Sequence, residues 1–162
     1  MAGTVKIDKA AQGSGAGMDT QAVIRYLPHR YPFLLLDQIL ECQPGVAARA
    51  CKNVSKTEPL LRWTVGAHGE MPRLLLLEAL AQVAVVLTFR TLRIEPSGNE
   101  LMFFAGIDHA RFVGTVSAGD RVLLEARVLR IMPAKGIGKF ATTASVAGRV
   151  VATAELIAAI RL

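Results

Sequence analysis

The sequence predicts an α+β fold in which an antiparallel sheet curls around one buried helix. Three observations carry this. A 16-residue stretch from Leu74 to Phe89, LLLLEALAQVAVVLTF, is apolar on every side although it contains Glu78 and Gln82, which marks a helix buried all round. Two strand-like runs precede it and about four follow it. No second helix of that length occurs, so the strands have one helical partner to cover.

The elements follow in order. Residues 1–17 end in the small, polar AAQGSGAG and read as a disordered extension, leaving 18–162 as a single domain. Asp19 or Thr20 can cap a short helix over AVIRYL, which Pro28 ends. FLLLDQILECQPGVAARACKNVS gives two strands joined by a turn at Gln43-Pro44-Gly45. Thr57 to Met71, with Pro59, Gly66 and Gly69, reads as loop. Pro72 suits the first turn of the helix that runs from about Arg73 to about Leu92. Beyond Pro96-Ser97-Gly98-Asn99, LMFFAGID is a strand, RFVGTVSAGD a loop and RVLLEARVLRIMP a strand. A turn at Lys135–Gly138 follows, and KFATTASVAG and RVVATAELIAAIRL form a hairpin about Gly148.

Composition narrows the function classes. Hydrophobic residues make up 52% and charged residues 20%, against a disordered chain. Cys42 and Cys51 are the only cysteines and form no C-x-x-C pair, which excludes a disulfide-dense scaffold and fits a reducing cytosol. The formal charge of +6 and the pI near 9.8 favour an acidic partner. The basic residues are nevertheless scattered, with Arg25, His29 and Arg30 the nearest thing to a cluster, and no nucleic-acid motif occurs. The apolar helix is too short and carries too many polar groups to span a membrane. No continuous apolar core marks a signal peptide, so a cytoplasmic location is expected. His29, His68 and His109 match no metal spacing, and no phosphate-binding glycine loop is present. No cofactor is expected.

Glu78 is the most informative residue. A carboxylate inside an apolar helix suffers desolvation unless paired or protonated. Gln82 lies four residues on, along the same face. Two readings follow: a structural pair that satisfies itself, or a carboxyl of raised pKa that lines a pocket and serves as general acid or base.

Four separated blocks, LPHRYPFLLLD at 27–37, KNVSKTEP at 52–59, LLEALAQ at 76–82 and FAGIDHARF at 104–112, resemble the beta-hydroxyacyl-acyl carrier protein dehydratases of the hotdog-fold superfamily. The resemblance spans residues 20–162. It implies a sheet wrapped around the central helix and a homodimer with active sites at the subunit interface, often a trimer of dimers. The implied substrate is an acyl thioester on the phosphopantetheine arm of an acidic carrier protein. In that family a loop histidine takes the proton alpha to the thioester, and a helix glutamate helps expel the beta-hydroxyl. A backbone N–H at the helix start polarises the carbonyl. Glu78 falls on the family glutamate, with Gln82 in its usual context.

The loop departs from the family pattern. Thr64 stands where the catalytic histidine is expected, Pro72 is kept, and Arg73 replaces the oxyanion-site glycine. A threonine hydroxyl is no base near neutral pH. His68, four residues beyond Thr64, is the replacement candidate. In the FAGIDHARF block, Phe104 and Gly106 are expected to bind substrate, and the positions from His109 to Thr115 lie near the mouth of the family's acyl tunnel. His109 replaces a commonly acidic residue, and Val113, Gly114 and Thr115 replace basic or proline residues. The expectations are therefore Glu78 and His68 as catalytic residues, with Thr64, Pro72, Arg73, Gln82, Phe104 and Gly106 contacting substrate. Three functions compete: a dehydratase of weak or altered activity, a silent acyl-binding subunit that pairs with an active homologue, and a thioesterase using Glu78.

Overall fold

The computed structural model describes residues 15, 17–62, 69–97 and 100–161. Its elements are α1 (Thr20–Tyr26), β1 (Gln38–Gln43), β2 (Ala47–Asn53), α2 (Pro59–Arg62), α3 (Arg73–Leu92), β3 (Leu101–Phe112), β4 (Arg121–Met132), β5 (Ile137–Val146) and β6 (Arg149–Arg161). The strands form one sheet in the order β1-β2-β4-β5-β6-β3, every neighbouring pair antiparallel. The α+β expectation of a sheet around one long helix is met. Strand β3 leaves the helix end and crosses to the far edge, so the chain closes the sheet around α3 rather than beside it.

Alternation sets which side chains meet the helix. Val122, Leu124 and Ala126 of β4 face inward, as do Phe140, Thr142 and Ala144 of β5 and Ala152, Ala154 and Leu156 of β6. Helix α3 answers with Leu76, Leu77 and every residue from Ala79 to Phe89, all buried. Removing a fully enclosed leucine such as Leu80 would cost about 2–5 kcal/mol. Short α1 packs on α3 and β1, capped by the Asp19 carboxylate, which accepts the Ala22 N–H at 2.8 Å. Met18 exchanges backbone hydrogen bonds with Ile39 at 2.8 and 2.9 Å, which ties the segment before α1 to β1.

Two local expectations are corrected. The 57–71 stretch is not all loop, because Pro59–Arg62 forms a turn of helix. The expected span of α3 is met, with Pro72 as its N-cap. Strand β3 runs on to Phe112 because a bulge between Asp108 and Arg111 lets it keep pairing with β6. His109 sits in that bulge with φ 52°, a left-handed conformation that histidine tolerates better than most residues.

Candidate active site

Between Leu76 and Phe89, Glu78 alone reaches solvent; its neighbours along the helix are all buried. Its side chain is 35% exposed, and His29 lies over it with Nε2 3.2 Å from Oε1. Gln82, one helical turn on and 1% exposed, donates from Nε2 to the same Oε1 at 2.9 Å. The glutamine amide is itself held at both ends. Its Oε1 accepts the Leu35 N–H at 3.0 Å, and Nε2 also donates to the Phe33 carbonyl at 2.8 Å. The LPHRYPFLLLD and LLEALAQ blocks, about fifty residues apart in sequence, are thus one hydrogen-bonded unit.

These donors decide the charge of Glu78. His29's hydrogen bond pulls the carboxyl below its ordinary pKa, burial opposes it, and the Gln82 bond adds to the lowering. The expectation of a raised pKa is therefore wrong. Desolvation is present, yet donation to the ionised form outweighs it. Glu78 is a carboxylate at neutral pH, with its acceptor form populated but its basicity below that of an ordinary carboxylate.

Arg73 is exposed at the first position of α3, and Pro72 before it supplies no side-chain cap. The Leu75 N–H turns back to the Pro72 carbonyl at 2.9 Å, while those of Arg73 and Leu74 have no intrahelical acceptor and carry the positive end of the helix dipole. Phe104 and Gly106 flank a register shift in β3 and take no part in the Glu78 network. Thr64 and His68 lie outside the described residues. Sequence reasoning missed His29 as a partner of Glu78.

Upstream of the loop, Lys52 is buried and donates to the Glu58 carboxylate at 2.9 Å. The same carboxylate accepts the Ser55 N–H at 2.9 Å, so the KNVSKTEP block is locked on itself. On β3, Phe103 and Ile107 are about half exposed, at 52% and 50%, along a strand paired on one side only. A separate polar cluster joins Lys139 to Asp108 at 3.2 Å and to Glu155 at 2.7 Å. Among the described residues no group of histidine, cysteine and carboxylate side chains is arranged to hold a metal.

With this geometry in view, comparison with known proteins gives the family. The FabA-like domain model matches residues 27–155. The chain belongs to the FabA-like family. A 3-hydroxyacyl-[acyl-carrier-protein] dehydratase FabZ from Nitrosospira multiformis is 44% identical over 144 residues, which cover 89% of this chain and 97% of that protein. The FabZ of Thiobacillus denitrificans is 43% identical over 144 residues, covering 89% and 98%. Among solved structures, the dehydratase heterocomplex ApeI:P from Xenorhabdus doucetiae aligns with a TM-score of 0.73 at 24% identity, over 86% of this chain and 91% of that one. An uncharacterized protein from Pyrococcus horikoshii aligns with a TM-score of 0.61 at 10% identity, over 83% and 90%. At such identities these two speak for the fold, which is the hotdog arrangement. In this FabA-like chain, α3 is the buried central helix of that fold.

Proposed function

We propose that this FabA-like protein is a dehydratase that acts on 3-hydroxyacyl thioesters carried by acyl carrier protein, with Glu78 as the reacting carboxylate and turnover below that of its relatives. The observation that carries the reading is Glu78 itself: an ionised carboxylate at the one solvent-reaching position between Leu76 and Phe89 of the central helix, in a chain over 40% identical to named dehydratases.

The chemistry is a proton-neutral elimination. Glu78 takes the proton from the carbon alpha to the thioester, and the bond from the beta carbon to the hydroxyl breaks as the carbon–carbon double bond forms. The captured proton leaves with the hydroxide as water, which restores the carboxylate. Amide N–H groups at the start of α3, beside Pro72 and Arg73, are suited to stabilising charge that develops on the thioester oxygen. Phe104 and Gly106 would line the acyl chain's path, and Gln82 holds the carboxylate. Slow turnover follows because Glu78 then has to serve as both base and acid, Thr64 supplying no second group where the family pattern carries histidine; His68 is the candidate to share that work.

The net charge of +6 suits an acidic carrier. Exposed apolar side chains on edge strand β3 suit a partner that adds its own strand there, a second copy or a homologue. Cytoplasmic residence belongs to the same reading.

The test is incubation with 3-hydroxybutyryl and longer 3-hydroxyacyl thioesters, following both enoyl-thioester formation and free thiol. Enoyl product that disappears in Glu78→Gln is the expected result. Thiol release without alkene would make the protein a thioesterase. Tight binding with neither product would make it a silent acyl-binding subunit.

A further inference from the structure

We propose that His29 is the positioning residue of Glu78: together with Gln82 it occupies Oε1 and so commits Oε2 to the substrate. The assignment deepens the proposed dehydratase reading and rests on it for the identity of the substrate.

Three features of the site carry it. Both donors converge on one oxygen, Gln82 Nε2 at 2.9 Å and His29 Nε2 at 3.2 Å. A carboxylate oxygen offers two lone-pair sites, so Oε1 is saturated, while Oε2 has no hydrogen-bond partner among the described residues. The amide orientation of Gln82 is not free to reverse. Its Oε1 must face the Leu35 N–H, which leaves the two amide hydrogens for the Phe33 carbonyl and Glu78. Glu78 Oε1 therefore meets a donor and holds no proton of its own. Finally, His29 Nδ1 is buried without a partner among the described residues. A ring with its proton on Nε2 matches this arrangement, whereas a proton on Nδ1 would have no acceptor. Nε2 is engaged with the carboxylate and Nδ1 is closed to substrate, so His29 acts through Glu78 and does not touch the reacting atoms.

The surroundings simplify the test. Among the described residues, the groups that set the titration of Glu78 are His29 from the segment before β1 and Gln82 from its own helix. The Arg30 guanidinium is turned away, donating to the carbonyls of Leu27 and His29.

The full-length protein, His29→Ala, His29→Gln and Glu78→Gln are compared in two measurements. One is kcat and KM on a 3-hydroxybutyryl thioester. The other is the titration of the Glu78 carboxyl by carbon-13 NMR, its signal identified by absence from Glu78→Gln. A glutamine at 29 can return an N–H to the position of Nε2. The expected result is a kcat about 10-fold lower in His29→Ala, as for loss of one hydrogen bond to a charged group, with KM nearly unchanged. The Glu78 titration should move to higher pH in that variant, and His29→Gln should restore both. Unchanged kcat and titration in His29→Ala would overturn the proposal. So would a His29→Gln protein that titrates like wild type yet turns over as slowly as His29→Ala, since the imidazole would then carry the proton itself. If wild type shows no turnover on any thioester, the dehydratase reading falls alone, and the titration still decides the role of His29.

Discussion

Replacing Gln82 with leucine tests whether the network is as closely held as its distances imply. The two side chains are similar in volume, so the change removes the amide without opening a large cavity. Two backbone groups then lose their partner: the Leu35 N–H at a buried site, and the Phe33 carbonyl at a partly buried one. An unsatisfied buried donor costs about 1–3 kcal/mol and a lost ordinary bond about 0.5–1.5 kcal/mol. The sum, less a small gain from an apolar residue in an apolar place, is about 2–3 kcal/mol. For a chain of this length that lowers Tm by about 4–12 °C. Urea denaturation should show a lower midpoint with an unchanged slope. Gln82→Glu is the sharper companion, because it keeps the acceptor for Leu35 but sets a second carboxylate against Glu78, so one of the two should titrate at raised pH. A loss of less than 0.5 kcal/mol in Gln82→Leu would refute the reasoning, since water would then be serving Leu35 and Phe33 equally well.

Three further outcomes are expected. Restoring a base with Thr64→His should raise dehydration by about 10²–10⁴-fold; if wild type already matches its relatives and His68→Ala is harmless, the account of the missing histidine is wrong. Glu78 has a depressed pKa in the folded state, so its contribution to stability is present above the unfolded carboxyl value of about 4.3 and is lost as pH falls through the lower folded value. The stability gap between wild type and Glu78→Gln should thus be visible at pH 7 and close in strong acid; a gap independent of pH would contradict the assignment. Placing lysine at both Phe103 and Ile107 should convert a dimer to a monomer in light scattering at micromolar concentration, whereas a monomeric wild type would remove the edge-to-edge arrangement.

Much of the fold was legible because it depends on local pattern. The long, mainly apolar run from Leu74 to Phe89 left few alternatives to a buried helix, and the turns at Pro44-Gly45 and Gly148 separate strands of opposite direction. Glu78 and Gln82 stood out for the same reason, as polar residues where desolvation is costly. What local pattern does not contain is the identity of partners brought from elsewhere. His29 sits between Arg25 and Arg30 in sequence and reads as part of a basic surface; only the fold turns it onto a carboxylate 49 positions away. Without that donor, desolvation is the visible influence on Glu78, and the sign of its pKa shift comes out reversed. The continuation of β3 past Asp108 was hidden similarly, since it depends on His109 adopting a left-handed backbone.

The stretch from Leu27 to Asp37 has little regular structure of its own, yet three of its residues grip the central helix. Its attachment to α3 is non-local, with Leu27, Leu35 and Leu36 buried beneath it, and such a segment can open as a unit of its own without the sheet unfolding. The carboxylate proposed to react is therefore assembled by a strap, and its geometry exists only while the strap is down. Hydrogen exchange at the Leu35 amide reports that state directly. If it exchanges faster than the amides of β4 and β5, the protein spends part of its time with an intact core and a dismantled site. Acyl chains that press on the strap would then hold it closed, and a binding event would show first as slowed exchange at this one amide.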